Sequence, residues 1–199
     1  TGDLVVVGRA GIGLDNVDVR AATSRGVMVV NAPLSNSISA AEHTMALLLA
    51  QARNIPQAHA DLVAGAWNRS RWQGVELCEK TLGIIGLGRI GRMVAKRAAA
   101  FGMRCIAHDP FVAEESALRV GVEMRSLEDL MAESDFVTLH LSRSPETIGL
   151  LDAEMLQRSK PGLRLVNVAR GGIVDEEALA EAVRAGIVAV AAIDVFAEE

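Results

Sequence analysis

Gly86-Leu87-Gly88-Arg89-Ile90-Gly91 follows a short apolar run and leads into a helical pattern, and Asp109 stands 18 residues beyond Gly91 at the end of a second apolar run. Strand, G-x-G-x-x-G turn, helix, strand and acid, in that order, are what binding a dinucleotide pyrophosphate requires. Gly86 permits the tight turn, Gly88 keeps side-chain atoms away from the diphosphate, and Gly91 lets helix and sheet pack closely. The helix start offers the amides of Arg89 and Ile90, with the positive end of the helix dipole, to the phosphates. Asp109 is spaced to take the adenosine ribose hydroxyls and to repel a 2′-phosphate, so NAD is the expected cofactor rather than NADP. Pro110-Phe111 follow it, with no Arg to welcome that phosphate.

A second set of candidates lies further on. Arg170 comes just past an apolar strand and precedes Gly171-Gly172. Its guanidinium can grip a carboxylate in a two-pronged fork. Asp194 and His140 each end an apolar run. A His at a strand end is more often structural than a base, so His140 is set aside as a proton carrier. His43 and His59 have no catalytic neighbour in sequence. Cys78 and Cys105 give neither a disulfide framework nor metal-ligand spacing, so no metal is expected.

Composition limits what remains. The 199 residues suffice for a core, half of them are apolar, and aromatics amount to two Trp, four Phe and no Tyr. Abundant Ala, Val, Leu, Ile and Gly suit parallel strands covered by helices on both faces. The net charge of −5 argues against general nucleic-acid binding. No segment approaches the roughly 20 apolar residues of a membrane span, and no basic leader precedes the first apolar run. A reducing cytoplasm is the expected compartment.

The elements that must position these residues follow from periodicity and caps. Strands are expected at Leu4–Val7, Val27–Val30, Leu82–Ile85, Met103–Ala107, Phe136–Leu141, Leu163–Val168 and Val188–Ile193. A helix fits Val19–Ser24, stopped by Gly26. Ser39-Ala40-Ala41-Glu42 reads as a capping box at the head of a helix running toward Arg53, and Pro56 marks its limit or a restart. The stripe Ile90, Val94, Ala98, Phe101 is one face of a helix that stops at Gly102. Ser126, Asp152 and Asp175 are expected N-caps. Trp67 to Gly74 reads as a loop. Regular alternation from Thr81 onward implies a doubly wound parallel α/β sheet with ligands at the carboxyl ends of its strands.

Several segments together resemble the D-isomer-specific 2-hydroxyacid dehydrogenases. They are Gly8 to Asp18, Asn31-Ala32-Pro33, Ser39 to His43, Gly83 to Gly91, Asn167 to Glu176 and Asp194-Val195-Phe196. The resemblance spans Val5 to Glu199. It implies a Rossmann domain over residues 34–199 and, over 1–33, a remnant of a flavodoxin-like substrate domain. The implied reaction is hydride transfer between a small 2-hydroxy acid and NAD, in a homodimer or higher homo-oligomer. By the same resemblance Arg170 and Glu199 are catalytic positions. His140, Leu141, Val168, Ala169, Arg170 and Asp194 line the cofactor, with Asp194 accepting from its carboxamide. Ala10, Gly11, Asn36 and Arg69 contact substrate, the last two near a substrate phosphate, with Arg69 reaching in from a partner subunit. Trp67 is a candidate dimer contact. The family's general acid/base is a His in a Pro-His-x-Gly segment, and no His follows Glu199. The expectation is therefore coenzyme binding without turnover by this chain. Glycerate, glyoxylate or lactate branches and a non-catalytic NAD-responsive binding protein are the alternatives. The chain departs from its relatives at Ser142-Arg143, where Pro-Leu is common.

Overall fold

Asp18 opens a helix by accepting from the Ala21 N–H at 2.8 Å, and Gly26, at φ 70°, follows its end. In the computed structural model, which describes residues 3–14, 16–33 and 35–198, this helix α1 (Val19–Ser24) joins two strands. Strands β1 (Val6–Arg9) and β2 (Met28–Asn31) pair in parallel, with Val6 opposite Met28 and Arg9 opposite Asn31. The first strand therefore lies two residues later than expected: Gly8 and Arg9 carry the ladder, and Leu4 and Val5 precede it. The chain divides into two units, Thr1–Ala40 and Ala41–Glu199.

Helix α2 (Ser37–Ala52) begins ahead of the predicted cap. The Ala40 N–H donates to Asn36 O at 2.9 Å, so the helical ladder already runs through Ser39. Ser39 cannot cap a helix that contains it, and the Glu42 carboxylate instead lies 3.8 Å from Arg97. Helix α3 (Ile55–Val63) is the restart that Pro56 marked, with Pro in its first turn.

The remaining elements alternate as periodicity requires. They are β3 (Thr81–Ile85), α4 (Arg89–Ala100), β4 (Arg104–His108), α5 (Glu114–Leu118), β5 (Val122–Met124), α6 (Leu127–Glu133), β6 (Phe136–Leu139), α7 (Ala153–Gln157), β7 (Leu163–Asn167), α8 (Glu176–Arg184) and β8 (Val188–Ile193). Ser126, Asp152 and Asp175 cap their helices by accepting from the N–H three residues on. The six strands pair in parallel in the order β5-β4-β3-β6-β7-β8, the doubly wound Rossmann arrangement. α5 and β5 carry no such signal: five and three residues are too short for a period to show, and α5, unlike α7, has no side-chain cap to announce it.

β3 is buried at all five positions, as a strand covered on both faces must be. Ala41, Met45 and Leu48 of α2 join Val94 and Ala98 of α4 in one apolar cluster. Leu130 and Met131 of α6, Leu156 of α7 and Leu179 of α8 form the other. The order reverses at β3, which has β4 on one side and β6 on the other, and ligands of such sheets bind at the strand exits beside that reversal.

Candidate active site

At the exit of β3 each glycine of the turn has its own steric reason. Gly86 has φ 96°, and a Cβ there would lie 2.7 Å from the His140 carbonyl oxygen of the neighbouring strand's exit. A Cβ on Gly91 would lie 2.2 Å from Gly86 O, so α4 can sit this close to the turn only without one. Gly88 differs: its φ is −71° and no heavy atom lies within 4 Å of an added Cβ. Nothing inside the protein demands glycine at 88. The clearance faces outward, beside the start of α4, which no side chain caps. Bare backbone at an uncapped helix N-terminus is the donor set a diphosphate needs.

Asp109 lies at the end of β4, across from that turn. Its Oδ2 accepts from the Leu87 N–H at 2.8 Å and its Oδ1 from the Phe111 N–H at 2.9 Å. The carboxylate is thus fixed against the glycine turn while keeping acceptor capacity for hydroxyls. Arg92 braces the same turn, donating from Nε to Leu87 O at 3.0 Å. His108 approaches Arg125 O with Nδ1 at 3.2 Å.

On the other side of β3, His140 and Leu141 follow β6. His140 Nε2 lies 3.1 Å from Thr138 Oγ1, and burial lowers its imidazole to about 4. It is neutral at physiological pH and held by a neighbour. Val168, Ala169 and Arg170 follow β7. Buried Asn167 organises this exit: its Oδ1 accepts from the Ala169 N–H at 3.0 Å and its Nδ2 donates to Arg170 O at 3.0 Å. Its carbonyl accepts from the Asp194 N–H at 3.0 Å, which ties the exits of β7 and β8 together. Gly171 allows the approach, since a Cβ there would lie 1.8 Å from Phe196 O. Arg143 stands against Gly172, with its guanidinium 3.8 Å from where a Cβ would be. His43 of α2 brings Nε2 to 3.3 Å from Asp194 Oδ1.

Sequence reasoning did not single out Asn167 or His43 as site residues. Asn167 was legible as a polar residue ending an apolar strand. His43 had no such signal, because its partner is remote in sequence.

Arg69 lines a pocket against α3 with Asp61, Leu62, Trp67 and Trp72. In the first unit, the Gly11 N–H donates to Arg9 O at 2.9 Å, so this amide is engaged within its own turn. Asn36 is exposed at the head of α2. Glu199 lies outside the described residues. Among the described residues no cluster of His, Cys, Asp and Glu could hold a metal, and no helix is long and apolar enough to cross a membrane.

Residues 45–199 match the family profile of the D-isomer specific 2-hydroxyacid dehydrogenase, NAD binding domain. The chain belongs to this family. It is 58% identical over 196 residues to D-3-phosphoglycerate dehydrogenase of Mycobacterium leprae, covering 98% of this chain and 37% of that one. The enzyme of the same name from Archaeoglobus fulgidus is 52% identical over 197 residues, with 99% and 37% covered. The chain thus spans little more than a third of the length of these relatives. A D-lactate dehydrogenase from Aquifex aeolicus, solved with NAD and lactic acid, superposes with a TM-score of 0.90 at 32% identity, over 98% of this chain and 59% of that one. The domain is an NAD-binding Rossmann domain of the dehydrogenase type, and the turn, the uncapped helix and Asp109 fit that cofactor.

Proposed function

We propose that this chain is the coenzyme-binding part of an enzyme that oxidises D-3-phosphoglycerate to 3-phosphohydroxypyruvate in serine biosynthesis. The observation that carries the coenzyme reading is the outward clearance at Gly88, which the fold does not require and a bound diphosphate does. Identity of 58% and 52% to two D-3-phosphoglycerate dehydrogenases, against 32% to the lactate enzyme, favours the phosphorylated substrate. Residues 1–33 belong, in this reading, to a flavodoxin-like substrate domain, and the compartment is the cytoplasm.

Bound NAD supplies the hydride acceptor. Around it, backbone amides of Arg89 and Ile90 hold the diphosphate, Asp109 holds the ribose and Asp194 accepts from the carboxamide. Arg170 pairs with the substrate carboxylate and orients the carbon that loses the hydride. The proton must leave through a base, a role that this reading gives to none of the four His of this chain. His140 is neutral and bonded to Thr138, His108 faces Arg125 O, His43 faces Asp194, and His59 is on α3. NADH binding without turnover is therefore expected. Isothermal titration and a turnover assay on one sample test it, and measurable oxidation of D-3-phosphoglycerate by this chain alone contradicts it.

Exposed Trp67 and Leu62, beside the Arg69 pocket, are read as a contact with a second copy of the chain. Sedimentation of wild type against Trp67→Ala checks that: loss of a dimer supports it, and a monomeric wild type contradicts it.

A further inference from the structure

We infer that His43 is a positioning residue for the nicotinamide end of the coenzyme, acting through Asp194. The inference rests on the reading of Asp194 as the carboxamide acceptor and goes beyond it. Both residues lie in the unit Ala41–Glu199. Asp194 has its backbone fixed, because its N–H donates to Asn167 O at 3.0 Å at the exit of β7. Its side chain has no such constraint from the strand. Half-exposed, it would rotate among staggered wells and pair with water. His43 is the side chain that reaches it, with Nε2 at 3.3 Å from Oδ1.

The helix explains why His43 is there. Ala41, Thr44, Met45 and Leu48 are buried, at the spacing of one helical face, and seat α2 on the sheet's cover. His43 falls between them, on the flank that meets the exit of β8, and is itself half-exposed. With an Nε2–H, neutral or protonated, the imidazole can donate to one carboxylate oxygen. Held through Oδ1, Asp194 presents Oδ2 as the acceptor for an amide N–H. A carboxylate held at one oxygen has fewer orientations to offer, and so has the ring whose amide it receives. His43 touches no reacting atom. Its effect is to keep the acceptor in place before the ligand arrives.

The test uses this chain as it stands, titrated with NADH and with ADP-ribose, which lacks the nicotinamide and its carboxamide. His43→Ala should weaken NADH about tenfold, the order expected when a charge-assisted acceptor is left unheld, and leave ADP-ribose within about twofold. His43→Gln, which keeps an N–H donor, should recover most of the NADH affinity. Asp194→Ala should weaken NADH at least as much as His43→Ala and leave ADP-ribose alone. A merely structural role for His43 would move both ligands together, and that result overturns the inference. So does NADH binding by His43→Ala equal to wild type, while Asp194→Ala still weakens it. If Asp194→Ala changes neither ligand, the carboxamide assignment fails, and the role of His43 fails with it. If wild type binds neither ligand, the coenzyme reading itself is wrong.

Discussion

Gly8-Arg9-Ala10-Gly11-Ile12-Gly13 and Gly86-Leu87-Gly88-Arg89-Ile90-Gly91 are close in composition, each with three glycines, an Arg and an Ile, and each leaves a parallel strand. They are built differently. The first begins inside β1, whose Val6 is 46% exposed, and closes on its own polar groups. The Arg9 guanidinium donates to Gly13 O, Asn31 Nδ2 to Ile12 O at 2.7 Å, and the Gly11 N–H to Arg9 O. No helix starts within it; α1 begins at Val19. The second follows a fully buried strand, enters α4 at once and leaves that helix start uncapped. Both turns spend amides internally, the second through the Leu87 N–H on Asp109, but only the second runs straight into a helix whose start no side chain caps. Glycine content does not separate the two, whereas the elements on either side do.

Alanine substitutions should break this comparison most sharply. Gly91→Ala puts a methyl 2.2 Å from a backbone oxygen that cannot move without the turn. A loss of about 3 kcal/mol in denaturant unfolding is expected. Gly11→Ala meets only the end of the Arg9 side chain, at 3.0 Å, and should cost less than about 1 kcal/mol. Equal costs would mean the turns are not different in kind.

His140 walls the second turn, its carbonyl oxygen 2.7 Å from where a Cβ on Gly86 would lie. Its imidazole, lowered to about 4 by burial, resists protonation in the folded chain, while the unfolded chain takes up a proton near 6.5. Stability should therefore be full above about pH 6.5 and fall by roughly 3 kcal/mol as the pH drops toward 4. His140→Asn should flatten that slope in urea titrations run across the range; an unchanged slope would remove His140 as its source.

Asp109 is the acid fixed against the second turn, through the Leu87 N–H. Asp109→Asn should weaken NADH about tenfold and narrow its preference over NADPH, as read by fluorescence titration. Unchanged discrimination would assign the preference to another residue.

The smallest effect is expected at the sheet edge beside that acid. Glu123 bonds Arg104 at 3.1 Å and Arg125 at 2.7 Å, and Glu133 bonds the same two at 2.9 and 3.0 Å. Hydrogen bonds from Arg104 and then Arg125 hold the Glu123 carboxyl down to about 2. Its contribution is present above the ordinary carboxyl range near 4.5 and is lost as pH falls toward 2. These groups are exposed, so Glu123→Gln should lower Tm by no more than about 2 °C, and high salt should erase the difference.

The sheet was readable because buried parallel strands are continuous apolar runs and because Ser126, Asp152 and Asp175 announce their helices. Ser39 misled because a capping-box pattern inside a longer helix looks the same in one dimension, and the Asn36–Ala40 bond that extends α2 carries no side-chain signature. In the site, Gly86, Gly91 and Asp109 follow from spacing alone. The Asn167 hub and the His43–Asp194 pair do not, since they join strand exits and a helix through contacts that only the packed sheet creates.

The central claim is that the second turn is shaped for a bound diphosphate and not for the fold. Titrating NADH into wild type and Gly88→Ala, with unfolding measured on both, tests it directly. The account predicts matched stability, within about 0.5 kcal/mol, and a loss of NADH affinity of tenfold or more from one added methyl. Undiminished binding by Gly88→Ala would contradict it.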